Sequence, residues 1–393
     1  MSRTGPALRV SHIMAFADRD DGAVFSGAEN HLFTLMAAQV QAGLDVELIM
    51  LIARHGPRLH LKIENLRKEG IAVLPLVHEQ ILTKIVGRAT RAFMLPRLVL
   101  ALAQRRDRII HTHLPHASRL GRLAAWMTGN TKIVDTVHND EPWFARPSWR
   151  LRLRLLDKMT ARTIAISEHI RTHLVRVVGL DPARIAVVHY GIRPPSGPQP
   201  TREELRNRLG IPQDAFTVGF IGRLTAQKDV PTLLRALAAL PDAHAMLVGT
   251  GEEKEELKRL AAALGLRHVR FLGYKPDAAS LMPAFDVLAL PSRWEGLGLV
   301  LLEAMVRHIP IVASRAGAIP EILDHGRCGV LADAGDVSGF ASALERLARD
   351  RALRTEIAAR AWEHVQANFS IDAMVSRTTD VYRDVTEHAE GRH

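Results

Sequence analysis

The chain has 393 residues, of which 47% are hydrophobic, and its formal net charge is +10. A chain of this length exceeds what one hydrophobic core normally serves, so we expect two domains. The single cysteine, Cys328, excludes an internal disulfide framework and a cysteine-based metal site. No apolar run approaches the ~20 residues of a membrane-spanning helix. The N-terminus also lacks the apolar run of a signal peptide, so we expect a cytoplasmic protein.

The hydrophobic pattern predicts two series of strands that alternate with amphipathic helices. The strand candidates of the first series are LRVSHIMAF, DVELIML, IAVLPL, RIIHTH, KIVDTV, TIAIS and IAVVH. Those of the second series are FTVGFIG, AMLVG, VRFLGY, VLALPS, PIVAS and GVLAD. Such alternation is typical of parallel sheets covered by helices on both faces, with ligands bound at the carboxyl ends of the strands. The prediction is an α/β protein with two Rossmann-like, doubly wound domains that face a central cleft.

A Pro- and Gly-rich stretch separates the two series and sets the domain boundaries. We place the first domain at residues 1–190, the linker at 191–201 and the second domain at 202–372. A final helical stretch occupies 373–393.

The segment TVGFIGRLTAQKDVP places two cations between a strand and a helix. Its apolar run ends at Gly222, while Asp229 and the proline two residues later have the residue types that begin a helix. Arg223 and Lys228 lie between these points. Two cations at the carboxyl end of a strand, beside a helix N-terminus, suit a pyrophosphate leaving group. Two surface cations near a turn remain the alternative.

The segment PSRWEGLGLVLLEAM contains two carboxylates around a glycine-rich entry to a helix. Free backbone N–H groups at such a turn attract an anion, and we expect Glu295 to project from this loop toward the ligand. Glu303 lies about one helical turn further on, where a carboxylate can accept hydrogen bonds from ribose hydroxyls. Two solvated glutamates are the alternative. The predicted ligand contacts of the turn itself are Gly296, Leu297, Gly298 and Leu299.

These two segments and seven further motifs resemble the retaining glycosyltransferases of family 4, which have the GT-B fold. In chain order the motifs are SGAEN, HTHLPH, TVHN, VVHYGI, FIGRLTAQKD, LVGTGEE, FLGY, PSRWEGLGLVLLEAM and AGAIPEI. The resemblance implies transfer of a sugar from a nucleoside diphosphate sugar to a glycan or lipid-linked acceptor in cell-envelope polysaccharide, lipopolysaccharide or glycolipid synthesis. It also implies that the first domain is the acceptor side and that the final helix crosses back onto it.

The resemblance further assigns residues to the donor site. Glu303 would bind the ribose, Arg223 and Lys228 the pyrophosphate, and Glu295 the sugar. The turn at Gly222 and the turn LVGTGEE would line the nucleotide site, and the loop after FLGY would meet the base mainly through backbone atoms. The remaining predicted contacts are therefore Gly249, Gly251, Tyr274 and Lys275.

In the first domain, the resemblance assigns roles to the ends of three strands. Gly27 would let the backbone approach the donor phosphate and the acceptor, although Ser26 and Glu29 also form the pattern of a capping box. His113 would reach the donor sugar. His138 would contact the acceptor or the phosphates, with a hydrogen-bonded core histidine as an equal alternative.

Metal binding is not expected. The spacing of His111 and His113 could suit a metal, but the sequence shows no third ligand. Enzymes of this type need no divalent ion for their chemistry, and the resemblance implies no cofactor. The sequence pairs no carboxylates for double displacement. Same-face attack, with the departing phosphate taking the acceptor proton, is therefore the expected route to retention of configuration. We expect Lys228→Ala and Glu295→Ala to abolish transfer without unfolding the protein.

Two basic segments in the first half, Leu82–Arg108 and Arg146–Arg162, hold much of the excess positive charge. The first mixes cations with apolar residues on a predicted helix, a pattern typical of helices at an anionic membrane surface. A solvated basic face is the plain alternative. Nucleic acid is not expected as a partner, because each segment has a single aromatic residue among its cations and neither has a recognition motif. Membrane contact would imply a lipid-linked acceptor and a peripheral location on the inner face of the cell membrane.

Two other functions share some of these features. A sugar-nucleotide epimerase of the GT-B fold would release a changed sugar nucleotide without an acceptor. A non-catalytic membrane-surface module would keep the basic face but would not need Arg223, Lys228, Glu295 and Glu303 together. The presence of all four favours a catalyst.

Overall fold

The computed structural model describes residues 8–15, 27–51, 57–76, 88–140 and 142–390. Some sequence predictions fall partly outside these residues. They concern Ser26 of the predicted capping box and the SGAEN motif, positions 82–87 of the basic segment Leu82–Arg108, and positions 391–393 of the predicted final helical stretch.

The chain forms two compact units. Unit 1 comprises the residues up to Gly191 together with those from Ile371 onward, and unit 2 comprises Ile192–Ser370. The last helix begins at Ile371, two residues before the predicted start, and it belongs to unit 1.

The described part of unit 1 is built on strands β1 Arg9–Met14, β2 Asp45–Met50, β3 Ala72–Pro75, β4 Ile109–His113, β5 Ile133–Val137, β6 Arg162–Ala165 and β7 Ile185–Val187. Its α-helices are α1 Gly27–Gln41, α2 Pro57–Lys68, α3 Arg88–Ala103, α4 Pro115–Met127, α5 Pro147–Asp157 and α6 Glu168–His173. Helix α6 continues as a π-helical turn over Leu174–Val178, and 3-10 turns lie at Pro142–Ala145 and Pro182–Arg184.

The strands of unit 1 form one parallel sheet in the order β3-β2-β1-β4-β5-β6-β7. The strand order reverses between β1 and β4, where His12 is paired directly with His111. In open α/β sheets, ligands bind outside the carboxyl ends of the strands at such a switch point.

The described part of unit 2 contains strands β8 Thr217–Ile221, β9 His244–Val248, β10 Val269–Gly273, β11 Val287–Leu290, β12 Ile311–Ser314 and β13 Val330–Ala332. Its α-helices are α7 Arg202–Leu209, α8 Val230–Leu237, α9 Lys254–Ala263, α10 Leu299–Met305, α11 Ile319–Ile322, α12 Val337–Arg349 and α13 Arg351–Asn368, with 3-10 turns at Ala278–Ala284 and Asp324–Gly326. The final helix of the chain, α14 Ile371–Glu390, belongs to unit 1.

The sheet of unit 2 is also parallel, in the order β10-β9-β8-β11-β12-β13, and its switch point lies between β8 and β11. The loops after these two strands carry the two motifs that the sequence analysis singled out. The predicted α/β fold with two Rossmann-like, doubly wound sheets is confirmed.

Helix α14 is held in unit 1 by its apolar face. Met374, Val381 and Tyr382 join one buried cluster with Val10 of β1 and Ile109 of β4. Tyr382 is fully buried, so its hydroxyl must find hydrogen-bond partners inside the unit. Those partners are described below. Among the described residues, no helix is long and apolar enough to cross a membrane.

Candidate active site

The loops after β8 and β11 meet at Lys228 and Glu295. The Lys228 ammonium forms a short ion pair with Oε1 of Glu295, and Ser292 Oγ donates a hydrogen bond of 2.7 Å to the same oxygen. Only 6% of Glu295 is exposed. The expectation that Glu295 projects from its loop is therefore corrected, because its carboxylate is buried against Lys228.

The same two loops are also tied through Gln227. Its side-chain amide donates to the carbonyl of Trp294 at 3.0 Å, and its own carbonyl accepts the N–H of Arg293 at 2.8 Å. These bonds hold the two loops together independently of the ion pair.

Arg223 differs from Lys228 in its surroundings. Its side chain is exposed, and a guanidinium nitrogen lies 3.4 Å from the amide oxygen of Gln227. The charge of Lys228 is balanced by Glu295, whereas Arg223 has no carboxylate partner among the ion pairs of the described residues. Arg223 is thus the cation of this motif that can meet a phosphate without first losing an internal ion pair.

The start of α8 differs in detail from the prediction. Asp229 occupies the N-cap position, but its backbone is left-handed, with φ of 45°, and its carboxylate accepts from the hydroxyl of Thr232 rather than from a backbone N–H. Arg293 lies 3.3 Å from the same carboxylate. Asp229 therefore holds the loop together and does not cap the helix through its side chain.

Two of the predicted glycines are required by close backbone packing. A Cβ atom on Gly249 would lie 1.8 Å from the carbonyl oxygen of Gly222, and one on Gly251 would lie 2.1 Å from that of Leu224. The loop after β9 can therefore pack on the loop after β8 only without side chains at these positions. Gly222 itself has more room, since a Cβ there would come no closer than 3.2 Å to the Phe220 ring.

The predicted ligand contacts of the PSRWEGLGLVLLEAM turn differ in how deeply they are buried. Leu297 is buried, with 2% exposed, so its side chain packs in the core, while Gly298 takes a left-handed φ of 85° before α10. Gly296 is also buried, and Leu299 is half-buried. This turn can therefore offer a ligand backbone groups near Gly298 and Leu299, but not the Leu297 side chain.

Glu303 lies in α10 and is half-buried. Burial raises the pKa of Glu303 to about 7, and the nearby Arg307 opposes this shift only in part. The carboxylate is thus poised to gain or lose a proton near neutral pH, which matters for any ligand that donates hydrogen bonds to it.

Tyr274 and Lys275 follow β10, the edge strand of the sheet, and one strand, β9, lies between β10 and β8. Tyr274 is half-buried and Lys275 is exposed. The structure therefore places this predicted base-binding loop to one side of the Lys228–Glu295 pair.

One supporting residue was missed by the sequence analysis. Gly317 has a φ of 57°, and a Cβ there would lie 2.1 Å from the carbonyl oxygen of Glu295. That carbonyl accepts the N–H of Ala318 at 3.0 Å. The glycine of the AGAIPEI motif thus lets a neighbouring loop hold the backbone of Glu295, a role that the motif itself could have indicated.

In unit 1, a chain of buried side chains runs from Tyr190 to Thr136 and is called the histidine chain below. Successive members are joined by hydrogen bonds: Tyr190 OH–His138 Nδ1 2.6 Å, His138 Nε2–His113 Nδ1 3.2 Å, His113 Nε2–His12 Nδ1 2.9 Å, His12 Nε2–Gln39 Oε1 2.8 Å, Gln39 Nε2–Tyr382 OH 3.1 Å, Tyr382 OH–His111 Nδ1 2.7 Å and His111 Nε2–Thr136 Oγ1 2.7 Å.

The Gln39 amide sets the direction of the histidine chain, because one end of an amide accepts and the other donates. Its oxygen faces His12 and its nitrogen faces Tyr382. His12 therefore donates from Nε2. Tyr382 receives the amide N–H and donates its own hydroxyl proton to His111.

The remaining tautomers follow from this direction. Because Nδ1 of neutral His12 is an acceptor, His113 must donate from Nε2. The same reasoning assigns the proton of His138 to Nε2, and Tyr190 then donates to its Nδ1. The orientation of the Gln39 amide is inferred from this hydrogen-bond network. With that orientation, every hydrogen bond of the histidine chain joins one donor to one acceptor.

Burial keeps these histidines neutral. It lowers the pKa of His12 to about 4 and that of His138 to about 3. Burial also lowers the pKa values of His111 and His113 well below the ordinary histidine value. His113 is 0% exposed, and both of its ring nitrogens are engaged. A contact between His113 and a donor sugar stays a prediction, and it would require the histidine chain to open.

His138 and Gly27 occupy more accessible positions. His138 is 9% exposed and lines a pocket, and His31 stacks on its partner Tyr190 with ring centroids 3.8 Å apart. Gly27 is exposed as the first residue of α1, while Glu29 is buried. His138 is thus a hydrogen-bonded core histidine that also lines a pocket, and its contact with an acceptor or with phosphates stays a prediction.

Within the part of the chain that the structure describes, two groups of residues have donor atoms close enough to consider a metal. His12, missed by the sequence analysis, supplies the third ligand beside His111 and His113 within 4.8 Å. Their rings, however, are tilted by only 30–38° to one another, and each nitrogen already has a hydrogen-bond partner. Stacked rings do not converge on one ion, so this group fits the hydrogen-bond chain better than a metal site.

The second group brings Cys328 together with Asp324 and His364. The thiol is buried, and burial raises the pKa of Cys328 to about 11, while Asp324 is paired with Arg327. This grouping was not predicted from the sequence, in which Cys328 lies far from His364. A metal here would need the thiol to lose its proton against that shift.

Comparison with known proteins gives the family of the chain. Residues 201–364 match the family described as Glycosyl transferases group 1, and residues 25–194 match Glycosyltransferase Family 4. The chain belongs to these glycosyltransferases. The family resemblance predicted from the motifs is confirmed.

Individual relatives agree with this assignment. A lipopolysaccharide core biosynthesis glycosyltransferase, LpsE, from Rhizobium meliloti is 37% identical over 45% of this chain and 51% of its own length. An α-1,3-galactosyltransferase from Escherichia coli that uses UDP-Gal and GlcNAc-diphosphoundecaprenol is 27% identical over 77% of this chain and 86% of its own length. The chain spans about half the length of the first of these relatives.

Solved structures share the whole fold. HepE from Anabaena, in complex with UDP and glucose, superposes with a TM-score of 0.79 at 21% identity, covering 96% of this chain and 100% of that one. WaaG, a glycosyltransferase of lipopolysaccharide biosynthesis, gives a TM-score of 0.70 at 16% identity, covering 95% of this chain and 99% of that one. At these identities the likeness shows the fold alone.

Proposed function

We propose that this protein is a retaining, metal-independent glycosyltransferase that moves a sugar from a nucleoside diphosphate sugar to a glycan or lipid-linked acceptor of the cell envelope. The observation that carries the proposal is the pairing of Lys228 with Glu295 at the switch point between β8 and β11, beside the exposed Arg223. Two cations and a carboxylate at the carboxyl ends of these neighbouring strands suit a sugar that is joined to a pyrophosphate.

The donor would lie against unit 2. Arg223 is the first contact for the pyrophosphate, because its guanidinium is exposed. Glu295 holds the Lys228 ammonium in place through the ion pair, and the same ammonium would also interact with the phosphate. Glu303, whose pKa is raised to about 7 by burial, would accept hydrogen bonds from the ribose. The backbone near Gly298 and Leu299 completes the proposed site.

The chemical step would be transfer on the same face of the sugar. The anomeric C–O bond breaks, the electron pair leaves with the diphosphate, and the acceptor oxygen forms the new bond. The departing phosphate takes the proton of the acceptor hydroxyl. Arg223 and Lys228 stabilise the developing negative charge, and one such electrostatic contact is worth ~3–4 kcal/mol in comparable sites.

A membrane surface is proposed as the setting of the acceptor, and α5 supports it better than α3. On α5, Leu151 and Leu155 are 61% and 50% exposed beside the exposed Arg152. An exposed apolar pair next to a cation is typical of a helix that lies at an anionic membrane surface. The proposed location is the inner face of the cell membrane, and nucleic acid is not proposed as a partner.

The basic segment Leu82–Arg108 is less free than its sequence suggests. Arg105 forms an ion pair of 2.6 Å with Glu47, and Arg108 forms one of 2.8 Å with Asp45. These cations therefore hold the loop after α3 against β2, an inner strand of the sheet of unit 1. Within the described part of this segment, the exposed Leu100 remains available to a partner.

A thermal-shift panel tests the donor site. The purified protein is melted with UDP-, GDP-, ADP- and TDP-sugars, each with and without EDTA. We expect one nucleotide to raise the melting temperature and EDTA to leave that shift unchanged, since ligands that bind the native state stabilise it. The absence of a shift from all four would contradict the proposal, and a shift lost with EDTA would contradict metal independence.

Product analysis tests the reaction. With the donor identified, NMR of the product should show the anomeric configuration of the donor, and no altered sugar nucleotide should form without an acceptor. An inverted product would contradict retention. A changed sugar nucleotide without acceptor would replace the proposal by epimerisation.

A further inference from the structure

A pocket in unit 1 lies between the start of α4, the end of β5 and α5. Its empty volume is about 640 Å³, including space that is open to solvent. Much of its lining is apolar and comes from Leu114, Val137, Phe144, Trp149, Leu153 and Leu156. Ligand pockets of this kind are usually apolar with a few polar groups that fix the orientation of the ligand.

The charged side chains of the pocket differ between its interior and its rim. Arg122 is buried and already bonded to Ser118, and it lies 3.5 Å from the buried carboxylate of Asp135. Arg119 and Arg152 also line the pocket but are exposed, and Arg152 lies 5.4 Å from the ring of Trp149. The interior is therefore compensated in charge, whereas the rim is positive.

The backbone at the pocket wall is strained. Leu114 has a φ of 63° and a ψ of 150°, a conformation that is rare for any residue except glycine. Such strain costs of order 1–3 kcal/mol and is found mainly where surrounding structure holds a functional site. Leu114 follows His113 directly, so the strained residue joins the histidine chain to the pocket, which His138 of the same chain of hydrogen bonds also lines.

We propose that this pocket binds the apolar chain of an anionic lipid whose phosphate lies against Arg119 and Arg152. A free sugar does not fit this lining, because its hydroxyl groups would lose water and find apolar walls. An apolar chain fits the interior, and a phosphate fits the positive rim. The inference builds on the proposed function, since the lipid would be the apolar part of the acceptor.

The continuity of the pocket with α5 supports the same occupant. Leu153 and Leu156 line the pocket, while Leu151 and Leu155 of the same helix are exposed. One face of α5 thus lines the interior of the pocket, where the apolar chain of the lipid would lie, and the other face presents apolar side chains to solvent. A lipid could pass from a membrane to the pocket along one helix.

Binding of a monomeric amphiphile to the full-length protein tests this inference. Decyl phosphate, below its micelle concentration, is titrated while the fluorescence of Trp149 is followed, and Trp149→Phe identifies the signal. Decyl glucoside has the same chain without the charge, and inorganic phosphate has the charge without the chain. We expect decyl phosphate to bind about tenfold more tightly than decyl glucoside, because a charge-assisted contact is lost, and inorganic phosphate to cause no change.

Matched variants on α5 locate the site. Leu153→Ser should weaken decyl phosphate binding about tenfold or more, whereas Leu151→Ser should not, because only the first removes a chain contact inside the pocket. Arg152→Gln should reduce the preference for decyl phosphate over decyl glucoside, with Arg150→Gln as the control outside the pocket. Because Arg152 is exposed, its variant keeps the test valid even if Leu153→Ser fails to fold.

Equal binding of the two decyl compounds, or wild-type binding by both Leu153→Ser and Arg152→Gln, would overturn the inference. The thermal shift by nucleotides is measured on the same preparations. Lipid binding without any nucleotide shift would overturn the proposed function and leave the pocket standing. A nucleotide shift without decyl phosphate binding would overturn the pocket alone.

Discussion

The hydroxyl of Tyr382 lies 2.7 Å from Nδ1 of His111, so the last helix of the chain reaches a histidine of β4. The same hydroxyl accepts a hydrogen bond of 3.1 Å from the amide of Gln39 on α1. One phenol therefore joins α1, β4 and α14 within unit 1. The first three predictions concern the histidine chain of which it is part.

Tyr382→Phe should destabilise the protein by about 2–4 kcal/mol, because it leaves two buried nitrogen atoms, Nε2 of Gln39 and Nδ1 of His111, each without its hydrogen-bond partner. Urea unfolding measures the change. Thr378→Val is the matched control, since it removes a buried hydroxyl of α14 that bonds only the carbonyl of Met374 in its own helix. An equal effect of the two substitutions would contradict the special role of Tyr382.

The hydrogen-bond directions predict the tautomers of three histidines. NMR of protein labelled with ¹⁵N-histidine should show His12, His113 and His138 protonated at Nε2, as the orientation of the Gln39 amide requires. Protonation at Nδ1 in all three would mean that the Gln39 amide is turned around and the chain runs in the opposite direction.

Unit 1 should lose stability in mild acid. The pKa of His12 is lowered by burial to about 4 from an ordinary value of 6.5, so between these values the unfolded chain binds more protons than the folded one. Stability from this group is complete above pH 6.5 and falls as the pH drops toward about 4. His138, whose pKa burial lowers to about 3, extends the loss further. Melting temperatures measured from pH 8 to pH 4 test this; a constant value below pH 6.5 would contradict it.

Lys228→Met should impair both transfer and stability. It leaves Glu295 as a buried carboxylate without its cation, and breaking a buried pair costs about 3–5 kcal/mol. The structure thus adds a stability effect that the sequence did not predict. The double variant Lys228→Met with Glu295→Gln should regain stability but not transfer, with kcat lowered about 100- to 1000-fold. Recovery of transfer by the double variant would remove the pair from the proposed site.

Donor binding should depend on pH through Glu303. Its pKa is raised to about 7 by burial, and ribose hydroxyls donate to the charged carboxylate, so affinity should fall as the pH drops below about 7. Calorimetry in buffers of different ionisation enthalpy should detect proton release on binding near pH 7. Glu303→Gln should remove this proton release, and its persistence in that variant would assign the effect to another group.

The strands could be read from the sequence because each is a local apolar run. Each of the predicted runs, from LRVSHIMAF to GVLAD, contains or overlaps a strand of the structure. The loops that carry Lys228 and Glu295 could be placed for the same reason, since a strand end and a helix start are marked by nearby glycine, proline and aspartate.

What the sequence could not determine is which side chains meet. The pairing of β1 with β4 places His12 beside His111, and α14 brings Tyr382 to the same ring from far along the chain. No local pattern encodes strand order, so His12, Gln39 and Tyr382 could not be connected to the HTHLPH motif. Tertiary packing also turned Glu295 toward Lys228 and closed His113 inside the core, because a buried polar group must find its partner wherever the fold places one.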